Sequence, residues 1–216
     1  MEARLKLTEI YKSIQGESTW AGLPCIFVRT TGCNLRCSWC DSEYSFYGGE
    51  WCTLPRILEK VRDLDCKLVE LTGGEPLLQP AVPELAKELL GSGYTVLCET
   101  SGERPIDVLP DGVIRIMDLK CPDSGMCERN RMSNIPLLNK RDEVKFVLAS
   151  RRDYEWAREQ VLTHRLAEKV NAVLFSVAFG KVAPVDVVDW ILADKLPVRF
   201  QLQMHKFIWD PAQKGV

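Results

Sequence analysis

The sequence predicts an α/β protein built as a partial, TIM-like barrel of about six to seven mostly parallel strands with few helices. Three observations support this fold class. Short apolar runs alternate with segments of helical periodicity, which favours parallel strands joined by right-handed crossovers. The chain has 216 residues, whereas a complete eightfold barrel typically needs about 250. Polar residues follow several apolar runs, and sites in parallel α/β folds lie at such strand ends.

The individual elements follow from local patterns. Strand-like segments lie at 5–11, 25–30, 67–72, 94–99, 113–118, 143–148, 172–177 and 198–204. Helical periodicity occupies the stretches after Thr53 and after Ser150, and also 82–90 and 184–193. Thr53 and Ser150 are residues that can cap a helix, and Pro55 suits a first turn.

Composition excludes several classes of protein. The 28 basic and 30 acidic residues nearly cancel, which gives no argument for nucleic acid or an anionic membrane as a partner. No segment resembles a signal peptide or a membrane-spanning helix. Nine cysteines, an odd number without a targeting signal, indicate the reducing cytoplasm rather than a disulfide framework.

The most informative stretch is a loop with three cysteines. Cys33, Cys37 and Cys40 follow the spacing CxxxCxxC directly after the second strand-like segment. A loop of this length can give one thiolate to each of three irons of a 4Fe-4S cluster, which normally takes four cysteines. The fourth iron would stay open for a chelating ligand such as S-adenosylmethionine, whose radical chemistry belongs to the cofactor.

A structural zinc site remains an alternative for this loop. Zinc normally takes four ligands, often as two CxxC pairs, and the sequence has no second pair. The fourth ligand would have to be Cys25, Cys52 or a remote residue. The scattered cysteines are expected to be small buried hydrophobes; they are Cys52, Cys66, Cys98, Cys121 and Cys127.

The motifs at the strand ends resemble those of the radical S-adenosylmethionine enzymes, and among them the 7-carboxy-7-deazaguanine synthases of queuosine biosynthesis. The resemblance covers the whole chain. It rests on CxxxCxxC with the Asp-Ser pair that follows it, on Thr-Gly-Gly-Glu-Pro at 72–76 and on Glu-Thr-Ser-Gly at 99–102. It also rests on Ile-Gln-Gly-Glu at 14–17 and Gln-Met-His-Lys at 203–206.

The resemblance implies a set of site residues. The 4Fe-4S ligands would be Cys33, Cys37 and Cys40, and Ser42 would bind Mg²⁺. S-adenosylmethionine would contact Trp39, Cys40, Asp41, Gly74, Asp118, Leu119 and Lys120, although Asp118 and Leu119 stand where the family usually has Ser-Pro. The pterin substrate would contact Ile14, Gln15, Gly16, Arg29, Thr72 and Val216. Supporting residues would be Glu17, Glu75, Glu99, Ser101 and His205.

The implied activity is a radical carbon–nitrogen lyase. It would convert 6-carboxy-5,6,7,8-tetrahydropterin to 7-carboxy-7-deazaguanine with loss of ammonia. A glycyl-radical enzyme activating protein shares the cluster loop and is the alternative, and a metal-stabilised binding module is a non-enzymatic one. The implied partners are a low-potential electron donor, such as a flavodoxin or ferredoxin, and a second copy in a homodimer.

The domain organisation is expected to be simple. We expect one domain over 1–216, with the cluster loop at 31–49 and a segment that caps the substrate at 205–216. Phe207, Ile208, Trp209 and Pro211 are expected to anchor this segment. Ser18 stands where the family's loop often has glycine, so we expect a slightly different loop there if the position needs positive φ.

Overall fold

The computed structural model describes residues 3–215, which form nine strands and six helices. The strands are β1 Arg4–Ile14, β2 Pro24–Thr30, β3 Glu50–Thr53, β4 Leu68–Gly73, β5 Thr95–Thr100, β6 Ile114–Asp118, β7 Glu143–Leu148, β8 Ala172–Val177 and β9 Arg199–Gln201. The helices are α1 Leu54–Asp63, α2 Val82–Gly91, α3 Arg151–Thr163, α4 Leu166–Lys169, α5 Pro184–Asp194 and α6 His205–Ile208.

All nine described strands belong to one sheet, in the order β3-β1-β2-β4-β5-β6-β7-β8-β9. The seven strands from β2 to β9, without β3, pair in parallel, and β1 is antiparallel to both β2 and β3. Among the described residues the end strands β3 and β9 do not pair with each other. The prediction of an incomplete, mostly parallel barrel is therefore confirmed, although the sheet has more strands than the expected six to seven.

The prediction lacked the short helices α4 and α6 and one strand, β3, which pairs with the start of β1. The first two of the four residues of β3 are exposed, and the strand shows no apolar alternation, so the sequence carries no period to recognise. The last strand is also shorter than predicted. It ends at Gln201 rather than at residue 204, because the Met204 N–H leaves the sheet and donates to the Gly16 carbonyl at 2.9 Å.

Two helix starts show how capping depends on the next residues. Ser150 Oγ accepts the Asp153 N–H at 3.2 Å at the start of α3. Thr53 also precedes a helix in an extended conformation, but its side chain makes no capping bond. A capping side chain usually bonds the second or third helical N–H, and Pro55, the second helical residue, has no N–H to donate.

The strands separate an apolar outer layer from a polar interior. Along β4, the buried Val69 and Leu71 pack with α1 and α2 in one core cluster. The alternate residues Glu70 and Thr72 face the barrel interior and line its cavity, as the two-residue period of a strand requires. A second core cluster packs β7 and β8 against α3 and α5.

The loop between β1 and β2 contributes Gln15, Gly16 and Glu17 to the wall of the cavity inside the barrel. Ser18 has φ +65° there, and its hydroxyl accepts the Trp20 N–H at 3.1 Å. The serine therefore adopts the left-handed conformation itself, and this local hydrogen bond supports it. Within residues 3–215, no helix has both the length and the apolar character needed to cross a membrane.

Candidate active site

A cavity of about 460 Å³ opens at the carboxyl ends of the parallel strands. Its walls come from the strand ends, the cluster loop at 31–49 and the segment after β9. Most of the site residues expected from the sequence line it: Ile14, Gln15, Gly16, Glu17, Arg29, Cys33, Cys37, Trp39, Cys40, Asp41, Ser42, Thr72, Gly74, Glu99, Ser101, Asp118, Lys120 and His205. Glu75 and Leu119 do not line it, and Val216 lies outside the described residues.

Three free thiols, those of Cys33, Cys37 and Cys40, face this cavity and are partly buried. Among the described residues, no three histidine, cysteine or acidic side chains converge tightly enough to hold a single metal ion. A cubane cluster binds each thiolate through a different iron, so its ligands surround a volume instead of meeting at a point. The donor set, with no fourth cysteine on the cavity wall, therefore fits a three-cysteine cluster better than a zinc ion.

The Cys33 and Cys37 thiols are protonated before a metal binds. Burial raises the pKa of Cys37 to about 11, against the opposing effect of the Lys120 ammonium. Burial likewise raises the pKa of Cys33. Metal binding at such thiols releases protons.

The outside of the cysteine loop is held by two neighbouring loops. Ser38 donates from its backbone N–H to the Ser124 carbonyl at 3.1 Å and from Oγ to the Asp123 carbonyl at 2.6 Å. Asn34 Nδ2 donates to Glu103 Oε2 at 2.7 Å. These contacts fix the loop through its backbone and polar side chains, and leave the thiols free to face inward.

The turn after β4 touches the cysteine loop directly. A Cβ atom added at Gly74 would lie 2.4 Å from the Gly32 carbonyl oxygen and 2.6 Å from Cys33 Cβ. Only glycine allows this approach. The Glu75 N–H donates to the same Gly32 carbonyl at 2.9 Å, so the two loops are joined beside the first cysteine.

Glu75 is fully buried below the cavity and ties the turn to the end of β5. Its Oε1 accepts from the Leu77 N–H at 3.0 Å and Thr100 Oγ1 at 2.8 Å. Its Oε2 accepts from the Ser101 N–H at 2.8 Å and Ser101 Oγ at 2.6 Å. Four donors surround one carboxylate, so Glu75 positions both loops rather than contacting a ligand.

The end of β6 presents an ion pair to the cavity. Lys120 Nζ lies 2.8 Å from Asp118 Oδ2. Burial opposes the charge on Lys120, but the Asp118 carboxylate outweighs it and raises the lysine pKa. The side chain of Leu119 between them points into the core and is completely buried, so Leu119 can reach a ligand only through its backbone.

The floor of the cavity holds a buried lysine between two carboxylates. Lys145 Nζ, on β7, lies 2.6 Å from both Glu17 Oε2 and Glu99 Oε1. Burial disfavours the charge on Lys145, but Glu17 and Glu99 raise its pKa well above the ordinary value. The floor therefore stays charged and polar at neutral pH.

One wall combines an arginine with aromatic rings. Arg29 Nε donates to Glu9 Oε1 at 2.8 Å, and its NH2 group donates to the Tyr11 hydroxyl at 3.0 Å. The Tyr44 hydroxyl donates to the same Glu9 oxygen at 2.7 Å. Tyr11 stacks on Phe27, with ring centroids 5.1 Å apart. This wall can accept a flat ring and offers a guanidinium beside it.

The segment after β9 returns to the cavity through the loop of Gly16. A Cβ at Gly16 would lie 2.5 Å from His205 Nδ1, so glycine is required for His205 to approach. Gln203 Nε2 donates to Asp41 Oδ2 at 3.1 Å, and Lys206 Nζ donates to the same oxygen at 3.2 Å. Burial opposes ionisation of Asp41, but Lys206 outweighs it and lowers the aspartate pKa to about 2.

The end of the described chain covers the cavity. Residues 211–215 are among those that line it, and Lys214 Nζ lies 4.7 Å from the centre of the Tyr44 ring. The expected hydrophobic anchoring is wrong for Phe207 and Ile208, which are 64% and 52% exposed. The segment is instead held by the polar contacts around Asp41 and Gly16.

The sequence analysis assigned no site role to several residues that line the cavity: Tyr11, Phe27, Tyr44, Glu70, Lys145 and Phe179, together with Gln203 and Lys206 of the motif at 203–206. Two of them carried a recognisable signal. Glu70 and Lys145 are charged residues in the middle of apolar strands, and charged side chains are rarely buried without a partner or a function.

The comparisons with known proteins agree with this geometry. Residues 27–118 match the model of the Radical SAM superfamily. The chain is 50% identical to a 7-carboxy-7-deazaguanine synthase of Koribacter versatilis, over 98% of this chain and all of the relative. It is 43% identical to a protein of the same name in Chlorobaculum tepidum, over 100% and 99% of the two chains.

A solved structure supports the fold. The crystal structure of QueE from Escherichia coli matches with a TM-score of 0.72 and 21% identity, over 94% of this chain and 95% of that one. At this identity the likeness concerns the fold alone, whereas the relatives above cover the full length at much higher identity. This chain therefore belongs to the 7-carboxy-7-deazaguanine synthase family of radical SAM proteins.

Proposed function

We propose that this protein is a radical carbon–nitrogen lyase that converts 6-carboxy-5,6,7,8-tetrahydropterin to 7-carboxy-7-deazaguanine and releases ammonia, as a step toward queuosine. One observation carries the proposal. The three-cysteine loop and a polar floor share a single cavity of about 460 Å³, in a chain that resembles 7-carboxy-7-deazaguanine synthases over its whole length.

Membership of the radical SAM superfamily implies a 4Fe-4S cluster and S-adenosylmethionine. Cys33, Cys37 and Cys40 would hold the cluster, and their shared orientation toward one cavity fits that role. When bound, the two groups together supply a reducing electron and an organic radical that abstracts hydrogen from the substrate. The protein itself binds and orients the cofactor and the substrate, and it excludes water from them.

The cofactor would lie between the cysteine loop and the Gly74 turn. Trp39, Cys40 and Asp41 offer one side of this space, and Gly74 leaves room on the other. Asp118 and Lys120 close the far end of this space as an ion pair without net charge. Leu119 contributes only its backbone. Glu75 and Ser101 hold the two supporting loops at a fixed spacing.

Ser42 would bind Mg²⁺ through its hydroxyl. The Ser42 side chain lines the cavity, and its Oγ lies 3.8 Å from Cys40 Sγ. Magnesium prefers oxygen ligands and keeps several waters. One serine oxygen together with the carboxylate of the substrate fits this preference.

The pterin would lie on the floor and against the aromatic wall. Ile14, Gln15, Gly16 and Thr72 surround the inner end of the cavity, and Arg29 offers a guanidinium that Glu9 already fixes in place. His205 would approach from the capping segment, with Glu17 and Glu99 held in position by Lys145. The terminal residue Val216, outside the described residues, would complete the site.

The same proposal extends to the domain organisation, localisation, oligomeric state and electron donor of the enzyme. We expect one domain over 1–216, a cytoplasmic homodimer and a flavodoxin or ferredoxin as electron donor. The near balance of charges gives no reason to expect nucleic acid as a partner. The alternative, activation of a glycyl-radical enzyme, is not favoured by the names of the relatives.

An anaerobic turnover assay tests the proposal. The reconstituted protein is mixed with 6-carboxy-5,6,7,8-tetrahydropterin, S-adenosylmethionine, Mg²⁺ and dithionite, and the products are separated and weighed by mass spectrometry. We expect 7-carboxy-7-deazaguanine and an equal amount of ammonia, and no product with Cys40→Ala. Absence of product from fully reconstituted protein would contradict the proposal.

A further inference from the structure

A third glutamate, Glu70, lies on the floor of the cavity and has no role in the function proposed above. It sits on β4 with only 2% of its surface exposed, and its side chain lines the cavity. Its strand neighbours Val69 and Leu71 point to the opposite, apolar face. A glutamate at this depth needs a stabilising partner or a function.

The hydrogen bonds around Gln15 fix which oxygen of Glu70 is engaged. Gln15 Oε1 accepts the Glu17 N–H at 2.9 Å, so the Gln15 amide must donate from Nε2, and it does so to Glu70 Oε2. Oε2 therefore serves as an acceptor in either protonation state. Among the described residues, Glu70 Oε1 has no hydrogen-bond partner.

Among the described residues, the two cations that act on Glu70, Lys145 and Arg29, are each already paired with another carboxylate. Lys145 Nζ already lies 2.6 Å from one oxygen each of Glu17 and Glu99. Arg29 is paired with Glu9 at 2.8 Å. Burial, then the charges of Glu99 and Glu17, raise the pKa of Glu70 well above its usual range, and Lys145 and Arg29 offset only part of this.

The remaining titratable groups around Glu70 do not supply charge. Burial raises the pKa of the Cys25 thiol on β2 and of the Cys98 thiol on β5. Burial also raises the pKa of Tyr11 on β1. These three groups are neutral near pH 7, so the charge count of the floor depends on the glutamates, Lys145 and Arg29.

We propose that Glu70 acts as a neutral carboxylic acid whose Oε2 orients the Gln15 amide and whose Oε1–H donates a hydrogen bond to the substrate. The acceptor would be a carbonyl oxygen or an imine nitrogen of the pyrimidinone ring. The flanking Glu17 and Glu99 both pair with the Lys145 ammonium, and the carboxylate of such a pair can only accept. Within residues 3–215, Glu70 thus supplies the one carboxylic acid donor on the floor and selects a ring that presents an acceptor there.

Infrared spectroscopy tests the neutral state without any substrate. A protonated carboxyl group absorbs at a higher frequency than a carboxylate. The spectrum of the reconstituted protein at pH 7 should contain this carboxylic acid band, and Glu70→Gln should remove it. Glu143→Gln is the matched control, because Glu143 is equally buried but lies outside the cavity and accepts from Thr19. A spectrum that does not differ between wild type and Glu70→Gln would overturn the neutral acid.

Steady-state kinetics with 6-carboxy-5,6,7,8-tetrahydropterin tests the contact with the ring, and this part rests on the proposed function. Glutamine mimics the neutral acid, because it can accept from Gln15 and donate to the ring, so Glu70→Gln should keep KM within about threefold of the wild type. Glu70→Ala should raise KM about tenfold with a smaller effect on kcat. The wild-type KM should rise with pH as Glu70 loses its proton, whereas that of Glu70→Gln should not.

The outcomes separate the two claims. If Glu70→Gln and Glu70→Ala raise KM equally, the working form is the carboxylate and the proposal is wrong. If neither raises KM, Glu70 makes no contact with the ring. If the wild type forms no product at all, the proposed function fails, while the infrared band still decides whether Glu70 is neutral.

Discussion

Replacement of Glu75 by glutamine should destabilise the protein more than its small change in shape suggests. Each carboxylate oxygen of Glu75 accepts one backbone N–H, that of Leu77 on one side and that of Ser101 on the other. The amide NH₂ of a glutamine must face one of these donors. The hydroxyls of Thr100 and Ser101 can rotate, but a backbone N–H cannot.

The magnitude follows from these contacts. One buried donor left without an acceptor costs about 1–3 kcal/mol, and the other hydrogen bonds lose the contribution of the charge. We expect Glu75→Gln to lower the free energy of unfolding by about 3 kcal/mol. For a chain of this size, that lowers Tm by roughly 6–12 °C.

Thermal unfolding of the metal-free protein, followed by circular dichroism, measures this effect. Glu59→Gln is the control, because this substitution makes the same chemical change on the exposed face of α1. It should alter the free energy of unfolding by less than about 0.5 kcal/mol. If Glu75→Gln melts within about 2 °C of Glu59→Gln, the four hydrogen bonds do not hold the two loops together.

Three further predictions concern the site. Gly16→Ala would place a methyl group 2.5 Å from His205 Nδ1; it should raise KM about tenfold or more, whereas Gly91→Ala, where a methyl meets nothing within 4 Å, should leave KM unchanged. Ser42→Ala should keep the cluster but lose most of the acceleration by Mg²⁺, and equal turnover of the wild type in a chelator would refute the magnesium role. A C-terminal affinity tag should raise KM strongly while an N-terminal tag does not, because residues 211–215 already line the cavity; equal KM values would exclude a role for Val216.

The sequence predicted those parts of the fold that depend on local patterns. β7 and β8 begin and end where predicted, because both are buried runs with clear ends. β3 and the last strand were misjudged, because exposed or short edge strands carry little apolar periodicity. The end of β9 depends on a distant contact, between Met204 and Gly16, which no local pattern reveals.

The residues of the candidate site likewise fall into those that a local motif reveals and those that it does not. Residues in motifs at strand ends were predicted from the resemblance, and most of them line the cavity. Glu70 and Lys145 were missed because they stand inside strands that were read as apolar runs. Their position on the floor depends on which face of the strand turns inward, and this depends on the packing of the whole sheet.

We expect one loop to hold the iron–sulfur cluster through the three thiols of Cys33, Cys37 and Cys40. Iron and acid-labile sulfide should be measured on anaerobically reconstituted variants, each with one cysteine replaced by alanine. We expect about four of each per chain for the wild type, Cys66→Ala and Cys127→Ala, and little of either for Cys33→Ala, Cys37→Ala and Cys40→Ala. A full cluster in any of the last three variants, or zinc in place of iron in the wild type, would show that these three thiols do not hold a 4Fe-4S cluster.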